Sequence, residues 1–360
     1  MTNWRFEWRR DWAAVWSPDF LSRWQQLLAE SPCANVYHHP ALVRAWADTR
    51  GRAIGAEPLF GFATGTDGTV VLLPFIILSQ RGRHASRRAL SIAGEDFFGY
   101  HDPLSSTNDG GVDWAGLWDA VRRDTAADCD QALVAFVHEP FAAGPFAEPS
   151  RETSPVLNLF GATDLDNVLA RCSANHRGDV RRRLRRIRAE GEATLVVYEC
   201  SSSDAAVRDF RERFVPAYSA YWRARPEGCM LDRPGVSDFV ERVLVDGLAG
   251  RWAHYAALEL NGQSIAWHLG LTFRRDLYWW IPAHDEAWQT FSPGKVLLAL
   301  LVEHGIRSGI SNLHFLTGLQ RYKLDWKPDL IPLRVMQWHA PSVKGTALAW
   351  YDAGVRLMTS

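Results

Sequence analysis

Three groups of residues combine types and spacings suited to chemistry. The first is Ser292-Pro293-Gly294-Lys295, which opens an apolar helical stretch a few residues after Gln289. Ser292 suits a helix cap, and Pro293 suits the first helical position, where a missing N–H costs nothing. Gly294 lets backbone approach a ligand, and unpaired N–H groups with the helix dipole favour an anion there. A well-capped core helix would read the same way. The second is Asn175–Glu190, with Arg177, Arg181, Arg182, Arg183, Arg185, Arg186 and Arg188. Val180, Leu184 and Ile187 make its single apolar stripe. Its guanidinium surface, with Arg181 as the candidate substrate contact, suits a phosphate-bearing substrate, nucleotide or tRNA, or is simply solvated. The third is imidazole. Alternation along Gln263–Phe273 sets His268 on the face of Ala266, Gly270 and Thr272, opposite Trp267 and its apolar neighbours. An imidazole there has the right pKa to accept a proton directly or through water, or it is a hydrogen-bonded structural residue. His284 and Asp285 form an alternative base pair.

The elements around these residues follow from local signals. Asn261-Gly262 between Tyr255–Leu260 and Gln263–Phe273 predicts a hairpin, because both turn positions accept positive φ. A third strand at Leu277–Ile281, a helix from Pro293 to Ser308 and a strand at Asn312–Leu316 follow, and Val236–Ala249 precedes as an amphipathic helix. The first half runs in similar order. It has a helix at Pro40–Thr49, strands at Leu59–Thr64, Val70–Leu78 and Ala89–Ala93, a helix at Asp113–Asp124 and a strand at Ala132–Val137. The Pro/Gly/Ala/Ser-rich stretch Glu139–Pro155 reads as the linker, giving lobes 1–150 and 151–360. The expected class is α/β (α+β): two tandem lobes, each a mixed, mostly antiparallel sheet flanked by helices.

Composition narrows the function. With 40 Lys+Arg against 41 Asp+Glu the net charge is −1, which argues against coating nucleic acid by bulk charge. Seventeen Trp point to a Trp-rich core or cleft wall. The five cysteines are scattered and never form CxxC, against a disulfide framework or zinc ribbon, and no metal is expected. The N-terminus lacks an apolar signal core, and the uncharged run Gly68–Gln80 is too short to span a bilayer, so a cytoplasmic protein without membrane partners is expected. The sequence has no GxSxG, HExxH, GxxxxGK[ST] or GxGxxG. His138-Glu139 starts like a zincin helix, but Ala142 stands at the second ligand position.

Taken together, the chain resembles the GNAT-related BioF2-like/CelD-type acetyltransferases, themselves similar to the FemABX peptidyltransferases. The resemblance rests on Leu72-Leu73-Pro74-Phe75, the arginine segment, Asn261-Gly262-Gln263-Ser264-Ile265-Ala266, Ser292-Pro293-Gly294 and Gly318-Leu319-Gln320-Arg321-Tyr322-Lys323. It covers roughly residues 30–340. It implies two GNAT-like lobes and a donor site in the second, where Gln289, Ser292, Gly294 and Lys295 occupy the place of the family's pyrophosphate loop. Ser292 replaces the first glycine of that loop pattern. In the first lobe the equivalent loop holds Glu95, Asp96, Asp102 and Pro103, a poor phosphate cradle. The resemblance also implies that Tyr322 protonates the leaving group.

Lys323 is suited to pair with a donor phosphate or substrate carboxylate, or is a surface lysine, and Trp267, Trp279 and Trp280 line the acceptor pocket or simply fill the core. The leading function is N-acyl transfer from acyl-CoA or a carrier thioester to a small amine or amino acid. The alternatives are aminoacyl transfer from aminoacyl-tRNA and a non-catalytic assembly protein. Oligomeric state is not readable from the chain.

Overall fold

The first hairpin forms where two near-continuous apolar runs, buried along most of their length, flank Asp67-Gly68. The Asp67 carboxylate accepts the Thr69 N–H at 2.9 Å and Gly68 takes φ +85°, closing the turn. The computed structural model describes residues 3–81 and 86–359. Strand β1 (Trp4–Arg9) pairs antiparallel with β2 (Glu57–Gly65), which turns into β3 (Val70–Arg81). Next, β4 (Ser86–Ile92) runs antiparallel to β3, as does the short β5 (Leu104–Ser105), and β6 (Gln131–His138) lies parallel to β4.

Strand β7 (Ala147–Asn158) supplies Val156–Asn158 to the second sheet. There β8 (Ala193–Tyr198) pairs with β9 (Ala253–Leu260), which pairs with β10 (Gln263–Phe273), which pairs with β11 (Asp276–His284), all antiparallel. The expected Asn261-Gly262 turn holds φ of 51° and 77°. Strand β12 (Asn312–His314) is parallel to β11 and antiparallel to β7. The last strand, β13 (Asp329–His339), pairs antiparallel with β6.

The chain therefore divides into Met1–Glu152 with Pro332–Ser360, and Thr153–Ile331. The two units repeat one pairing scheme. Strands β1, β2, β3, β4, β6 and β13 correspond in order and sense to β8, β9, β10, β11, β12 and β7. Each sheet's sixth strand comes from a distant part of the sequence. This corrects two expectations: Glu139–Pro155 is a short turn of helix followed by most of β7, and residues 332–360 belong to the first unit.

Much of the tryptophan lies in the core. Trp24, Trp46 and Trp118 are fully buried. Each buried aromatic withdraws ~150–250 Å² from water, about 4–6 kcal/mol at ~25 cal/mol per Å² before ordering entropy is subtracted. In the second unit, helix Pro293–Arg307 is apolar nearly all round and sits among Leu258, Ile265, Leu277 and Phe315. Helix Ala174–Glu190 buries Val180, Leu184 and Ile187 as its pattern predicts, capped by Ser173. Among the described residues, no helix is long and apolar enough to cross a membrane.

Candidate functional site

Parallel pairing between β11 and β12 stops after Tyr278↔His314. The cause is visible one strand away. In β10, Leu269 faces Ile281 and Leu271 faces Tyr278, so Trp279 and Trp280 together oppose Gly270. Such a bulge bends the strand and re-aims its side chains. Glycine is required there: a Cβ would fall 2.2 Å from the His268 ring and 2.7 Å from the Tyr278 carbonyl oxygen. Beyond the bulge, β11 presents Trp279, Pro282, Ala283 and His284 to a cleft of about 650 Å³.

The same gap in the first unit is closed by the chain itself. Pairing of β4 with β6 ends at Leu90↔Ala132. Past it, Ser91 Oγ donates to the Leu133 carbonyl at 3.1 Å and the His101 N–H to the Phe136 carbonyl at 3.2 Å. Asp102 accepts from the His138 N–H at 2.8 Å and from His138 Nδ1 at 2.6 Å.

The Ser292 turn borders the cleft with Gln289, Pro293, Gly294 and Lys295. Ser292 is the residue at the cap of helix Pro293–Arg307 but has left-handed φ, 53°, and its side chain does not cap. Its Oγ accepts instead from Arg183, while its carbonyl takes the Lys295 N–H at 2.9 Å. Among the described residues the Gly294 N–H has no protein partner, and a Cβ on Gly294 would meet open space. Lys295 Nζ stands 3.7 Å from Asp179, whose carboxylate accepts from Arg183 Nε at 2.8 Å. Burial would raise the Asp179 pKa, but the Arg183 hydrogen bond and the charges of Arg183, Lys295 and Arg182 outweigh it and hold the carboxyl below its usual range. A unit with one unpaired amide hydrogen, an ammonium and a ready-made open space suits an anion.

Tyr322 and His284 bring proton chemistry to the same cleft. Tyr322 Oη accepts from Trp279 Nε1 at 3.2 Å. Burial raises the phenol's pKa, partly offset by that bond. The His284 ring meets Tyr221 edge-on at 5.0 Å between centroids, and burial pushes its pKa below 6.5, leaving a neutral imidazole at pH 7.

Of the residues singled out from sequence, Gln289, Ser292, Gly294, Lys295, Trp279, Tyr322 and His284 line the cleft. The others stand elsewhere. His268 is fully buried behind Trp279, because both faces of β10 are covered. Asp285 caps the next turn, accepting the Ala287 N–H at 2.9 Å, and does not orient His284. Lys323 is buried with Nζ donating to the Thr317 carbonyl at 2.7 Å. Trp267 is in the core, and Trp280 packs edge-on against Phe239 on the other side of β11. Arg181 pairs with Asp166 at 2.8 Å on the surface. Sequence reasoning missed the aromatic wall of Tyr218, Tyr221 and Trp222. Their i, i+3, i+4 spacing on helix Val215–Arg223 was the available signal.

Residues 174–324 match the family model described as an acetyltransferase (GNAT) domain. The matched segment lies within the second unit. No curated protein matches the sequence. Among solved structures, the chain is similar to FemX, with TM-score 0.56, 10% identity, and 87% of this chain and 95% of that one covered. It is also similar to the C-terminal domain (DUF2156) of an Agrobacterium fabrum protein assigned as a lysylphosphatidylglycerol synthetase, with TM-score 0.53 and 14% identity over 93% of this chain and 96% of the other. A Bacteroides thetaiotaomicron protein of unknown function gives TM-score 0.54 at 13% identity, covering 92% and 99%. At these identities the likeness is one of fold, and it extends beyond the matched segment to nearly the whole chain.

Proposed function

We propose that the GNAT domain transfers an acyl group from the thioester of coenzyme A, or of a related carrier, to the amine of a small molecule or amino acid. The carrying observation is that one cleft joins the Gly294 turn to Tyr322 and His284 at the point where β11 leaves β12. In this reading a donor phosphate accepts the Gly294 N–H and faces Lys295 Nζ. The rest of the donor lies along Trp279–His284, the stretch of β11 that β12 does not cover.

The acceptor amine gives a proton to the neutral His284 ring as its nitrogen attacks the carbonyl carbon. The C–N bond forms, the C–S bond breaks, and the Tyr322 hydroxyl supplies the proton that the departing sulfur takes up. Each such proton transfer is worth ~10²–10⁴ in rate. The aromatic wall of Tyr218, Tyr221 and Trp222 contacts the apolar portion of acceptor or acyl group.

A second reading changes the donor to aminoacyl-tRNA, with the ribose oxygen in place of sulfur as the leaving atom. It is favoured by Arg182, Arg185 and Arg188, exposed on the helix that Arg183 ties to the Ser292 turn. A mass-spectrometric transfer screen decides between them. Product formed from an acyl-CoA and an amine supports the first. RNase-sensitive product from charged tRNA supports the second, and no product with any donor removes both.

A further inference from the structure

His268 carries an anomaly. It is fully buried, yet among the described residues its Nδ1 has no hydrogen-bond partner. A buried unpaired polar group costs ~1–3 kcal/mol, which a leucine or phenylalanine at this position would avoid. The other ring nitrogen is engaged: Nε2 accepts the Trp280 N–H at 3.3 Å, so it is a lone pair and Nδ1 carries the hydrogen. Burial, with His254 next to it, holds the ring's pKa well below 6.5, so it stays neutral. Its flat face stacks on Trp279, centroids 4.3 Å apart and planes within 11°. Gly270 leaves the room this ring occupies.

Resting on the reading of Tyr322 as proton donor, we propose that Trp279 is a positioning residue for the Tyr322 hydroxyl and that His268 holds Trp279 to that task. The indole N–H is a donor only, so at 3.2 Å the Tyr322 oxygen must accept from it. The phenol's own hydrogen is thereby turned away from Trp279, leaving it to donate elsewhere. As Tyr322 gives up that hydrogen, negative charge grows on an oxygen that already has a fixed donor aimed at it. His268 secures the donor twice, by stacking on the indole and by gripping the Trp280 amide at the bulge that aims Trp279 into the cleft.

A single 3-fluorotyrosine at position 322 reports the phenol's ionisation by fluorine NMR without any substrate. Trp279→Phe keeps a ring and removes the N–H. The titration midpoint is expected to rise by about half a pH unit or more, the equivalent of one ordinary hydrogen bond. His268→Leu is expected to raise it in the same direction, and the double variant to add little to Trp279→Phe alone. His268→Phe, which keeps a flat ring, serves if the leucine variant does not fold. A midpoint unmoved by Trp279→Phe in a protein with native circular dichroism overturns the positioning role. One unmoved by both His268 variants overturns the part given to His268. A transfer rate unchanged by Tyr322→Phe overturns the underlying reading instead, whatever the titration gives.

Discussion

The guanidinium of Arg183 donates at once to Ser292 Oγ and to the Asp179 carboxylate, which itself stands 3.7 Å from Lys295. One side chain of the arginine helix thus fixes both the backbone turn and the cation at the proposed phosphate site. Arg183→Ala should weaken coenzyme A binding roughly five- to tenfold, the value of about 1 kcal/mol for a partly exposed charged hydrogen bond. Arg181→Ala, which breaks only the surface pair with Asp166, should change it less than twofold. Isothermal titration of both variants checks the contrast.

The imidazole at His284 must be neutral to accept a proton. Because burial pushes its pKa below 6.5, the rate should hold down to that pH and fall once the medium becomes acidic enough to charge the ring. His284→Gln should lower kcat/KM by ~10²-fold or more and abolish that acid limb. The pH–rate profile at saturating donor reads both effects.

Lys323, expected at the ligand, is instead a stability residue. Its ammonium satisfies the Thr317 carbonyl from a buried position, so Lys323→Met should cost about 1–3 kcal/mol in urea unfolding. Donor affinity in the folded fraction should stay near the wild-type value.

In the first unit, Asp102 and His138 couple stability to pH. Burial alone would raise Asp102 and lower His138, but their mutual attraction and hydrogen bonds outweigh it, leaving Asp102 below and His138 above the usual value. The depressed carboxyl stabilises above the unfolded pKa of ~3.9, and this is lost as pH falls through its folded value. The raised imidazole stabilises below ~6.5, and this is lost as pH rises through its folded value. Thermal stability should therefore peak between those limits. Asp102→Asn should flatten the profile, with a loss of about 1–3 kcal/mol at the peak.

Local chemistry made the second unit's hairpin and helices legible. The Asn261-Gly262 turn, the full length of β10 and the start of helix Pro293–Arg307 follow from turn residues, alternation and a proline at the first helical position, although Ser292 does not cap with its side chain. The site was less legible because its decisive features are non-local. Alternation separated the two faces of β10, yet both are buried, so nothing in the chain told that His268 stands behind Trp279 and not at the cleft. The bulge opposite Gly270 exists only through pairing with β11. Tyr218, Tyr221 and Trp222 arrive from a helix some sixty residues upstream of the strands they face. β13 looked like part of the second lobe because its partner, β6, lies nearly two hundred residues earlier.

Binding of coenzyme A to the wild type and to Gly294→Asp, compared by isothermal titration, probes the heart of the account. The new side chain enters open space, so the fold should be retained while a carboxylate takes the place meant for phosphate. At least a tenfold loss of affinity is predicted. Equal affinity in the two folded proteins, or no binding to the wild type, would contradict it.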